Sequence, residues 1–235
     1  MARWSPIERT LREQYGPLLA GVDEVGRGPL AGPVVACAVV MPPDRRAIPG
    51  VNDSKQLDRA TRVALAARIR DQALVIALGA ASAREVDRLN IYHATVLAMR
   101  RALDRVPARL GQSPHHVLVD GKPLRTLGVA HTAVVKGDAK CYAIACASIM
   151  AKVTRDRLMT ALARRHPHFA WERNSGYGTD VHRGALAVHG LTPHHRRSFC
   201  VEAQGSLDFS DLVVPTPPVR EPSPREELPD ESPRR

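Results

Sequence analysis

Two adjacent carboxylates, Asp23 and Glu24, end a short apolar run near the N-terminus and have the right chemistry for a reactive site. A glycine-flanked arginine follows, with Arg27 between Gly26 and Gly28. Successive side chains on a strand point to opposite faces, so neighbouring acids share one site only where the strand ends or bends. Glycines permit that bend and leave backbone amides open to a ligand. The stretch predicts a metal ion beside a phosphodiester, although a tight turn with solvated charges explains these residues equally well.

Two further acids, Asp120 and Asp138, each lie at the end of a predicted strand. In open α/β sheets, ligands gather at the carboxyl ends of the strands. Carboxylates that converge there, together with Asp23 and Glu24, would repel one another unless cations neutralised them. Oxygen-only ligation suits Mg²⁺ or Mn²⁺ rather than zinc, and two such ions about 3.5–4 Å apart form the clamp of many nucleases. Taken singly, Asp120 and Asp138 each fit a turn residue better than a ligand, and it is their shared position at strand ends that favours a site.

Apolar runs of strand length must position these acids. The predicted strands are 18–25, 33–41, 73–81, 116–120 and 131–138. The run at 33–41 is almost continuously apolar, as expected for a strand covered on both faces. Further helices are predicted at 141–165 and 179–189, and another after Asp58, which is available as an N-cap, with Val63, Ala66 and Ile69 along it.

The clearest predicted helix begins with Ser82 and Glu85, which have the spacing of a capping box. Apolar residues then recur on one helical face, and the stripe consists of Leu89, Tyr92, Val96, Met99 and Leu103. We interpret the stripe as core rather than as a cofactor site. Pro107 and Gly111 are predicted to end this helix.

Composition favours a polyanionic partner. The chain has 235 residues, a net charge of +10 and a hydrophobic content of 44%. Such an excess of positive charge favours nucleic acid first and an anionic membrane second, whereas simple solubility is the alternative. Aromatic residues make up only 4%, which argues against a base-stacking platform for single strands.

The cysteines and the N-terminus predict a reducing, cytoplasmic location. Cys37, Cys141, Cys146 and Cys200 include no pair with zinc-site spacing, so we expect free thiols. The first residues carry no signal peptide, and no apolar run is long enough to span a bilayer. We predict three regions: an N-terminal helix or arm at 1–18, a catalytic domain with a helical C-terminal part at 19–205, and a disordered, proline- and charge-rich tail at 206–235.

Several basic residues have two possible roles. Lys55 either contacts a phosphate or is a solvated surface group. Ser148, Lys152 and Arg155 share a helical face and either follow a phosphate backbone or leave Lys152 paired with Asp156; we expect a mixture of the two. The same ambiguity applies to the basic run at 195–197. The histidines at 115–116, 166–168 and 194–195 are predicted to lie on the surface.

A series of segments, in order along the chain, resembles ribonuclease HII, the type 2 ribonuclease H. Each is a weak signal alone, but together they are highly specific. The segments are 21–34, 53–57, 120–121, 136–138, 147–156, 175–179 and 191–199. The resemblance implies an α/β RNase H-like fold, with a central mixed sheet of about five strands flanked by helices and a helical C-terminal part.

The resemblance also implies the site. Asp23, Glu24, Asp120 and Asp138 would ligate two divalent cations, Mg²⁺ or Mn²⁺, and act as the catalytic acids. Gly26, Arg27 and Gly28 would read the 2′-hydroxyl at an RNA–DNA junction through backbone groups, and Tyr177 would pack against the sugars. Lys55, Ser148 and Lys152 are secondary candidates for substrate binding.

The implied activity is endonucleolytic. The enzyme would cut the RNA strand of RNA–DNA hybrids and incise 5′ of ribonucleotides embedded in duplex DNA, leaving 5′-phosphate and 3′-hydroxyl ends. We expect a monomer, with a replication or repair protein as a further partner through the tail. The competing hypothesis is a non-catalytic nucleic-acid-binding module. The full set of acids argues against it, because unneutralised carboxylates repel phosphate.

Overall fold

A computed structural model of the protein describes residues 4–203, with side chains through residue 200. Its five strands form one mixed sheet, which confirms the predicted fold class. The strands are β1 (Leu19–Val25), β2 (Val34–Val40), β3 (Val75–Ala81), β4 (His116–Asp120) and β5 (His131–Val134). Their order is β3-β2-β1-β4-β5. β2 is antiparallel to both of its neighbours, whereas β1, β4 and β5 run parallel. The predicted tail at 206–235 lies outside the described residues.

Helices cover both faces of this sheet. They are α1 (Pro6–Tyr15), α2 (Arg59–Gln72), α3 (Ala83–Leu103), α4 (Val106–Leu110), α5 (Gly137–Lys140), α6 (Tyr142–Ala163), α7 (Trp171–Asn174), α8 (Asp180–His189) and α9 (Arg197–Ala203). Alternate residues of β2 pack on opposite sides: Val34 and Ala36 face α3, whereas Cys37 and Val39 face α2 and α6. The near-continuous apolar run of β2 is therefore buried on both sides.

The helix α6 lies directly over β1 because Gly21 has no side chain. A Cβ atom at Gly21 would lie 2.2 Å from the carbonyl carbon of Ala143. At the N-terminus of α6, the backbone amides of Tyr142 and Ala143 donate to Glu8 of α1 at 3.0 and 2.8 Å. A carboxylate suits a helix N-terminus, so α1 docks there. Residues 1–18, predicted to be a helix or an arm, therefore contain a docked helix.

The helix α3 differs from its predicted form at Asn90, whose φ of 66° breaks the helical path. The Asn90 side chain accepts from the amides of Tyr92 and His93 and so caps a new helical segment. The break rotates the apolar stripe, leaving Tyr92 exposed while Val96, Met99 and Leu103 are buried. The helix also ends at Leu103, before Pro107, which lies in the separate helix α4.

Other expectations need smaller corrections. Asp58 caps α2 as predicted by accepting from the amide of Thr61 at 2.8 Å, but Val63 is exposed and Leu65 takes the buried position. His116 and His195, predicted to be surface residues, are buried. The four cysteines are buried and free. Within residues 4–203, no helix combines the length and apolar character needed to cross a membrane.

Candidate active site

The predicted acids meet at one edge of the sheet. Asp23 and Glu24 lie just before the last residue of β1, Val25, and Asp120 is the last residue of β4, its parallel neighbour. Val22 pairs with Val119, so the next step along both strands brings Asp23 level with Asp120. We call the group formed by Asp23, Glu24, Asp120 and Asp138 the carboxylate corner.

Asp138 reaches the corner by a different route from the one predicted. β5 ends at Val134, and Lys136 then adopts a left-handed conformation with φ of 57° before the short helix α5 begins. The amide of Gly137 donates to Asp120 Oδ1 at 2.6 Å, which ties the start of α5 to β4. Asp138 therefore lies in the first turn of a helix, and the predicted strand over 131–138 is wrong beyond residue 134.

Burial and mutual repulsion raise the pKa of three of these acids. The pKa of Asp23 lies well above its usual value, first because of burial and then because of the charges of Glu24 and Asp120. Burial also raises the pKa of Glu24, opposed by Arg27 and assisted by Asp120. For Asp138, burial and then the charge of Asp120 raise the pKa, while Lys55 lowers it. The charge of Asp120 acts on the other three acids, so the corner behaves as one electrostatic unit.

Two cationic side chains partly balance the corner. Arg27 Nη1 lies 3.4 Å from Glu24 Oε1, and Lys55 Nζ lies 3.4 Å from Asp138 Oδ2. Both cations are largely solvent-exposed, at 51% and 82% of their side-chain surface. Exposed pairs of this kind contribute little free energy, and the pKa values of Glu24 and Asp138 stay raised in spite of them.

Ser148, which contacts Ser54, is hydrogen-bonded to the carboxylate of Asp23. The hydroxyls of Ser54 and Ser148 lie 2.9 Å apart in a buried contact. A hydrogen bond from Ser148 opposes the upward shift in the pKa of Asp23. Ser148 is therefore a neighbour of the carboxylate corner, on the face of α6 that Gly21 allows to approach β1.

The donor chemistry of the corner fits a hard divalent cation. All four side chains offer carboxylate oxygens, and burial, assisted by the charge of Asp120, raises the pKa of Asp23, Glu24 and Asp138. Among residues 4–200, no three Asp, Glu, His or Cys side chains already stand in a metal-ligand arrangement. Asp23, Glu24, Asp120 and Asp138 are the side chains that would hold such a cation.

A buried arginine holds the glycine loop, which we define as residues 26–33. The guanidinium of Arg196 is fully buried and donates to the carbonyl oxygens of Gly26, Arg27 and Gly32. Burial lowers the pKa of Arg196 to about 10, which still leaves it charged near neutral pH. A charged donor saturated by carbonyl groups is a rigid anchor, so the loop is fixed through its backbone.

A second buried arginine, Arg155 of α6, joins the glycine loop to the tyrosine segment, residues 175–177. It donates to the carbonyls of Ala31, Pro33 and Ser175 at 3.0, 2.9 and 2.9 Å. Gly26 has a φ of 87°, and a Cβ there would lie 2.1 Å from Arg155 Nε. Glycine is therefore required at this position both by backbone conformation and by space.

The sequence pattern did not predict these roles of Arg155 and Arg196. Reading Arg155 as a phosphate contact is wrong because its side chain is only 1% exposed. A signal was present: Arg155 lies between Ala151 and Met159 at helical spacing of four residues, and both neighbours are buried apolar residues. For Arg196, nothing local to the sequence distinguishes it from the exposed Arg197.

Tyr177 and Gly28 come together in the structure. A Cβ atom at Gly28 would lie 3.6 Å from Cε1 of Tyr177, which is van der Waals contact. The Gly176 carbonyl accepts from the amides of Leu30 and Ala31 at 2.8 and 3.2 Å, so the tyrosine segment is bonded to the glycine loop. Tyr177 remains 48% exposed. An open surface bounded by Gly28 and Tyr177 therefore begins a few residues after Glu24.

The structure also shows what surrounds the remaining predicted residues, Lys152, Lys55 and Ser148. Lys152 Nζ lies 2.7 Å from Asp156 Oδ1, which is the pairing that the sequence left open. Lys55 reaches Asp138, and Ser148 is buried. Their predicted roles in substrate binding stay predictions.

The mixed five-stranded sheet, with acids at the ends of β1 and β4 and helices on both faces, defines a nuclease of the RNase H-like fold. The model of the family described as Ribonuclease HII matches residues 20–202. The Ribonuclease HII of Granulibacter bethesdensis is 52% identical over 200 residues, which cover 83% of this chain and 88% of that relative.

Solved structures agree. Ribonuclease H2 from Pyrococcus horikoshii OT3 superposes with a TM-score of 0.66 at 27% identity, over 80% of this chain and 96% of that one. A chain of the PCNA:RNase HII complex from Archaeoglobus fulgidus gives a TM-score of 0.60 at 26% identity, over 77% of this chain and 94% of that one. The chain belongs to the ribonuclease HII family. It is a metal-dependent endoribonuclease that acts on the RNA of RNA–DNA hybrids, which excludes the non-catalytic binding module.

Proposed function

We propose that this endoribonuclease also incises duplex DNA on the 5′ side of a single embedded ribonucleotide, leaving 5′-phosphate and 3′-hydroxyl ends. The observation that carries the proposal is the contact between Gly28 and Tyr177, 3.6 Å from a Cβ position to Cε1, immediately beyond the carboxylate corner. Gly28 and Tyr177 are a single pair of neighbouring residues, which would meet one sugar, so one ribonucleotide would suffice for recognition.

The carboxylate corner would provide the catalytic centre. Asp23, Glu24, Asp120 and Asp138 would together hold two divalent cations, Mg²⁺ or Mn²⁺. Such ions supply a water of lowered pKa and positive charge for the developing phosphodiester transition state. The chain's own contribution is to keep four carboxylates at one sheet edge, where burial and repulsion give them a high affinity for positive charge.

The glycine loop would read the sugar. The 2′-hydroxyl is both a donor and an acceptor, and it is what distinguishes RNA from DNA at a given position. Gly26, Arg27 and Gly28 would meet it through backbone groups, since the side chain of Arg27 is turned toward Glu24. Tyr177 would pack against the sugar and set its distance from the carboxylates. Recognition of this kind is independent of base sequence.

Incision of a defined substrate tests the proposal. A DNA duplex with one ribonucleotide is mixed with the full chain and Mg²⁺ or Mn²⁺, and the products are mapped at single-nucleotide resolution. We expect a single cut on the 5′ side of the ribonucleotide, and no cut in the all-DNA duplex. Hydrolysis of long hybrids without any cut at a single ribonucleotide would overturn the proposal while leaving the family activity intact.

Replacement of Tyr177 tests the role of the sugar contact. Tyr177→Ala should lower the rate of incision at a single ribonucleotide by about tenfold or more, because a sugar that shifts also moves its phosphodiester bond relative to the carboxylate corner. Tyr92→Ala is the matched control, since Tyr92 is also exposed but its ring lies against its neighbour His93 on α3. Equal rates for the two variants would remove Tyr177 from the site.

We also propose that a replication or repair protein binds residues 206–235. The support is the archaeal relative whose structure is a complex with PCNA. Co-elution of a purified sliding clamp with the full chain, but not with a chain ending at residue 205, is the expected result. Equal retention of both forms would contradict a role for the tail. The cytoplasmic location stays a prediction.

A further inference from the structure

A buried network of one tryptophan and two histidines lies behind Tyr177, and the chemistry proposed above does not use it. Trp171 Nε1 donates to His182 Nε2 at 3.1 Å, and His182 Nε2 lies 3.0 Å from His195 Nε2. The other nitrogen of His182, Nδ1, lies 2.9 Å from the carbonyl oxygen of Tyr177. The three side chains of the network are buried.

The partners assign a single tautomer to each histidine. A carbonyl oxygen only accepts, so His182 carries its proton on Nδ1 and donates to Tyr177. Its Nε2 is then an acceptor, which agrees with donation from Trp171. The amide of Thr192 donates to His195 Nδ1 at 2.9 Å, so His195 carries its proton on Nε2 and donates it to His182. The chain of donors therefore runs from Thr192 through both imidazoles to Tyr177.

This network is the third anchor of the tyrosine segment. Arg155 of α6 holds the carbonyl of Ser175, and the glycine loop holds the carbonyl of Gly176. The carbonyl of Tyr177 accepts from the Thr179 amide at 2.8 Å and from His182 of α8. Three consecutive carbonyls are thus bonded to three different elements, while the phenol of Tyr177 is left exposed.

The surroundings keep both imidazoles neutral. Phe169 packs edge-on against His195, with ring centroids 4.8 Å apart, and His166 and His194 lie nearby. Burial lowers the pKa of His182, and it lowers that of His195 to about 3, assisted by the charges of His182, His166 and His194. A second proton on His182 Nε2 would face the N–H groups of Trp171 and His195. A second proton on His195 Nδ1 would displace the hydrogen bond from the Thr192 amide, so protonation of either ring breaks the network.

We propose that His182 and His195 are positioning residues for the ribonucleotide junction: His182 holds Tyr177 through its backbone carbonyl, and His195 holds the tautomer of His182. The inference rests on the proposed function, because the role of Tyr177 at the sugar belongs to it. Side chains locked from behind by further hydrogen bonds keep a site within the small tolerance that recognition needs.

Two substitutions at His182 separate its two nitrogens. An asparagine amide reaches the place of Nδ1, whereas a glutamine amide reaches the place of Nε2. His182→Asn can therefore still donate to Tyr177, and His182→Gln cannot. The assay is kcat/KM of the full chain with Mg²⁺ on a duplex with one ribonucleotide and on a long hybrid. The substrate ratio is kcat/KM on the single-ribonucleotide duplex divided by kcat/KM on the long hybrid. We expect His182→Gln to lower this ratio by about tenfold and His182→Asn to retain most of it. Equal ratios for both variants would overturn the proposal.

A combination with Tyr177→Ala distinguishes failure of the inference from failure of the proposed function. When His182 acts through Tyr177, His182→Gln has no further effect on the substrate ratio in the Tyr177→Ala background. An unchanged ratio in Tyr177→Ala alone refutes the proposed role of Tyr177. If Tyr177→Ala lowers the substrate ratio but His182→Gln alone leaves it at the wild-type value, only the positioning role of His182 is refuted.

Two further measurements apply where a His182 variant fails to fold. His195→Gln keeps a donor toward His182 and His195→Asn does not, so the first should retain the substrate ratio and the second should lower it. Imidazole ¹⁵N NMR of the wild-type chain should show the proton on Nδ1 of His182 and on Nε2 of His195. Equal ratios for the two His195 variants, or the opposite tautomer at either histidine, would overturn the proposal.

Discussion

The carboxylate corner and the glycine loop are neighbours in the chain but are built on opposite principles. In the corner, like charges are buried together, and the pKa values of Asp23, Glu24 and Asp138 are raised as a result. In the loop, Arg155 and Arg196 each donate to three backbone carbonyl oxygens. The corner is therefore destabilised until positive charge arrives, whereas the loop is complete without a ligand.

The difference indicates a division of labour. A site that must bind cations keeps its ligands under repulsion, because any relief within the protein would weaken binding. A surface that must recognise a sugar by shape gains from rigidity, because ordering a loose loop on binding would cost free energy. Substitutions in the two regions should accordingly have opposite effects on stability.

The largest expected effect is on activity in the carboxylate corner. Asp138→Asn should lower hybrid cleavage by about 1000-fold, equivalent to about 4 kcal/mol on the barrier. In the absence of divalent ions, the same change should raise the unfolding temperature, because it removes a buried like charge. Asp71→Asn, an exposed acid on α2, is the control for loss of one charge.

The measurements for Asp138→Asn are cleavage rates and thermal unfolding with and without Mg²⁺. Mg²⁺ should stabilise the wild type more than Asp138→Asn, since a ligand that binds only the native state raises its stability. Equal stabilisation of the two by Mg²⁺ would show that Asp138 is not a ligand.

The next effect is on stability in the glycine loop. Arg196→Met should lower the free energy of unfolding by about 3 kcal/mol, because it removes the donor to the carbonyl oxygens of Gly26 and Gly32, whose contacts are buried, and to that of Arg27. Arg197→Met, the exposed neighbour, should change it by less than about 0.5 kcal/mol. Urea unfolding measures both variants. A small cost for Arg196→Met would contradict the description of the loop as rigidly anchored.

A smaller effect concerns pH and the histidine network beside the loop. The native pKa of His195 is about 3, against 6.5 for an ordinary histidine, so the unfolded chain binds the proton first as pH falls. The stabilising contribution is present above pH 6.5 and is lost between pH 6.5 and 3. At pH 5.5 the loss should be about 1 kcal/mol. Urea unfolding at pH 7.5 and 5.5 should show it in the wild type, and to a lesser extent in His195→Gln.

The smallest effect is at Lys55, the exposed cation of the corner. Lys55→Met should change the free energy of unfolding by less than about 0.5 kcal/mol, because its ion pair with Asp138 is open to solvent. A role in phosphate binding would appear as a rise in KM that Lys55→Arg restores. Unchanged KM for both variants would leave Lys55 outside the substrate site.

The sequence by itself determined most of the sheet and the identity of the acids. Period-two and continuous apolar patterns are local properties, so the predicted strand at β4 matches the observed one, and those at β1, β2 and β3 differ from the observed ones by one or two residues at an end. The capping residues Ser82 and Asp58 were readable for the same reason, since a cap and its amides lie within three residues. The four carboxylates were identified by their positions at the ends of predicted strands, and the family resemblance supplied their expected role as ligands of two cations.

Only the tertiary structure decided how the site is supported. Asp138 enters through a left-handed turn and a short helix that no apolar pattern signals, because Gly137 is held by Asp120 from a different strand. Arg196 and Arg197 are adjacent and of one type, yet one is buried and the other exposed. Burial of a charge depends on acceptors from distant segments. The carbonyls of Gly26 and Arg27 lie some 170 residues earlier in the chain and become its partners only when the chain folds.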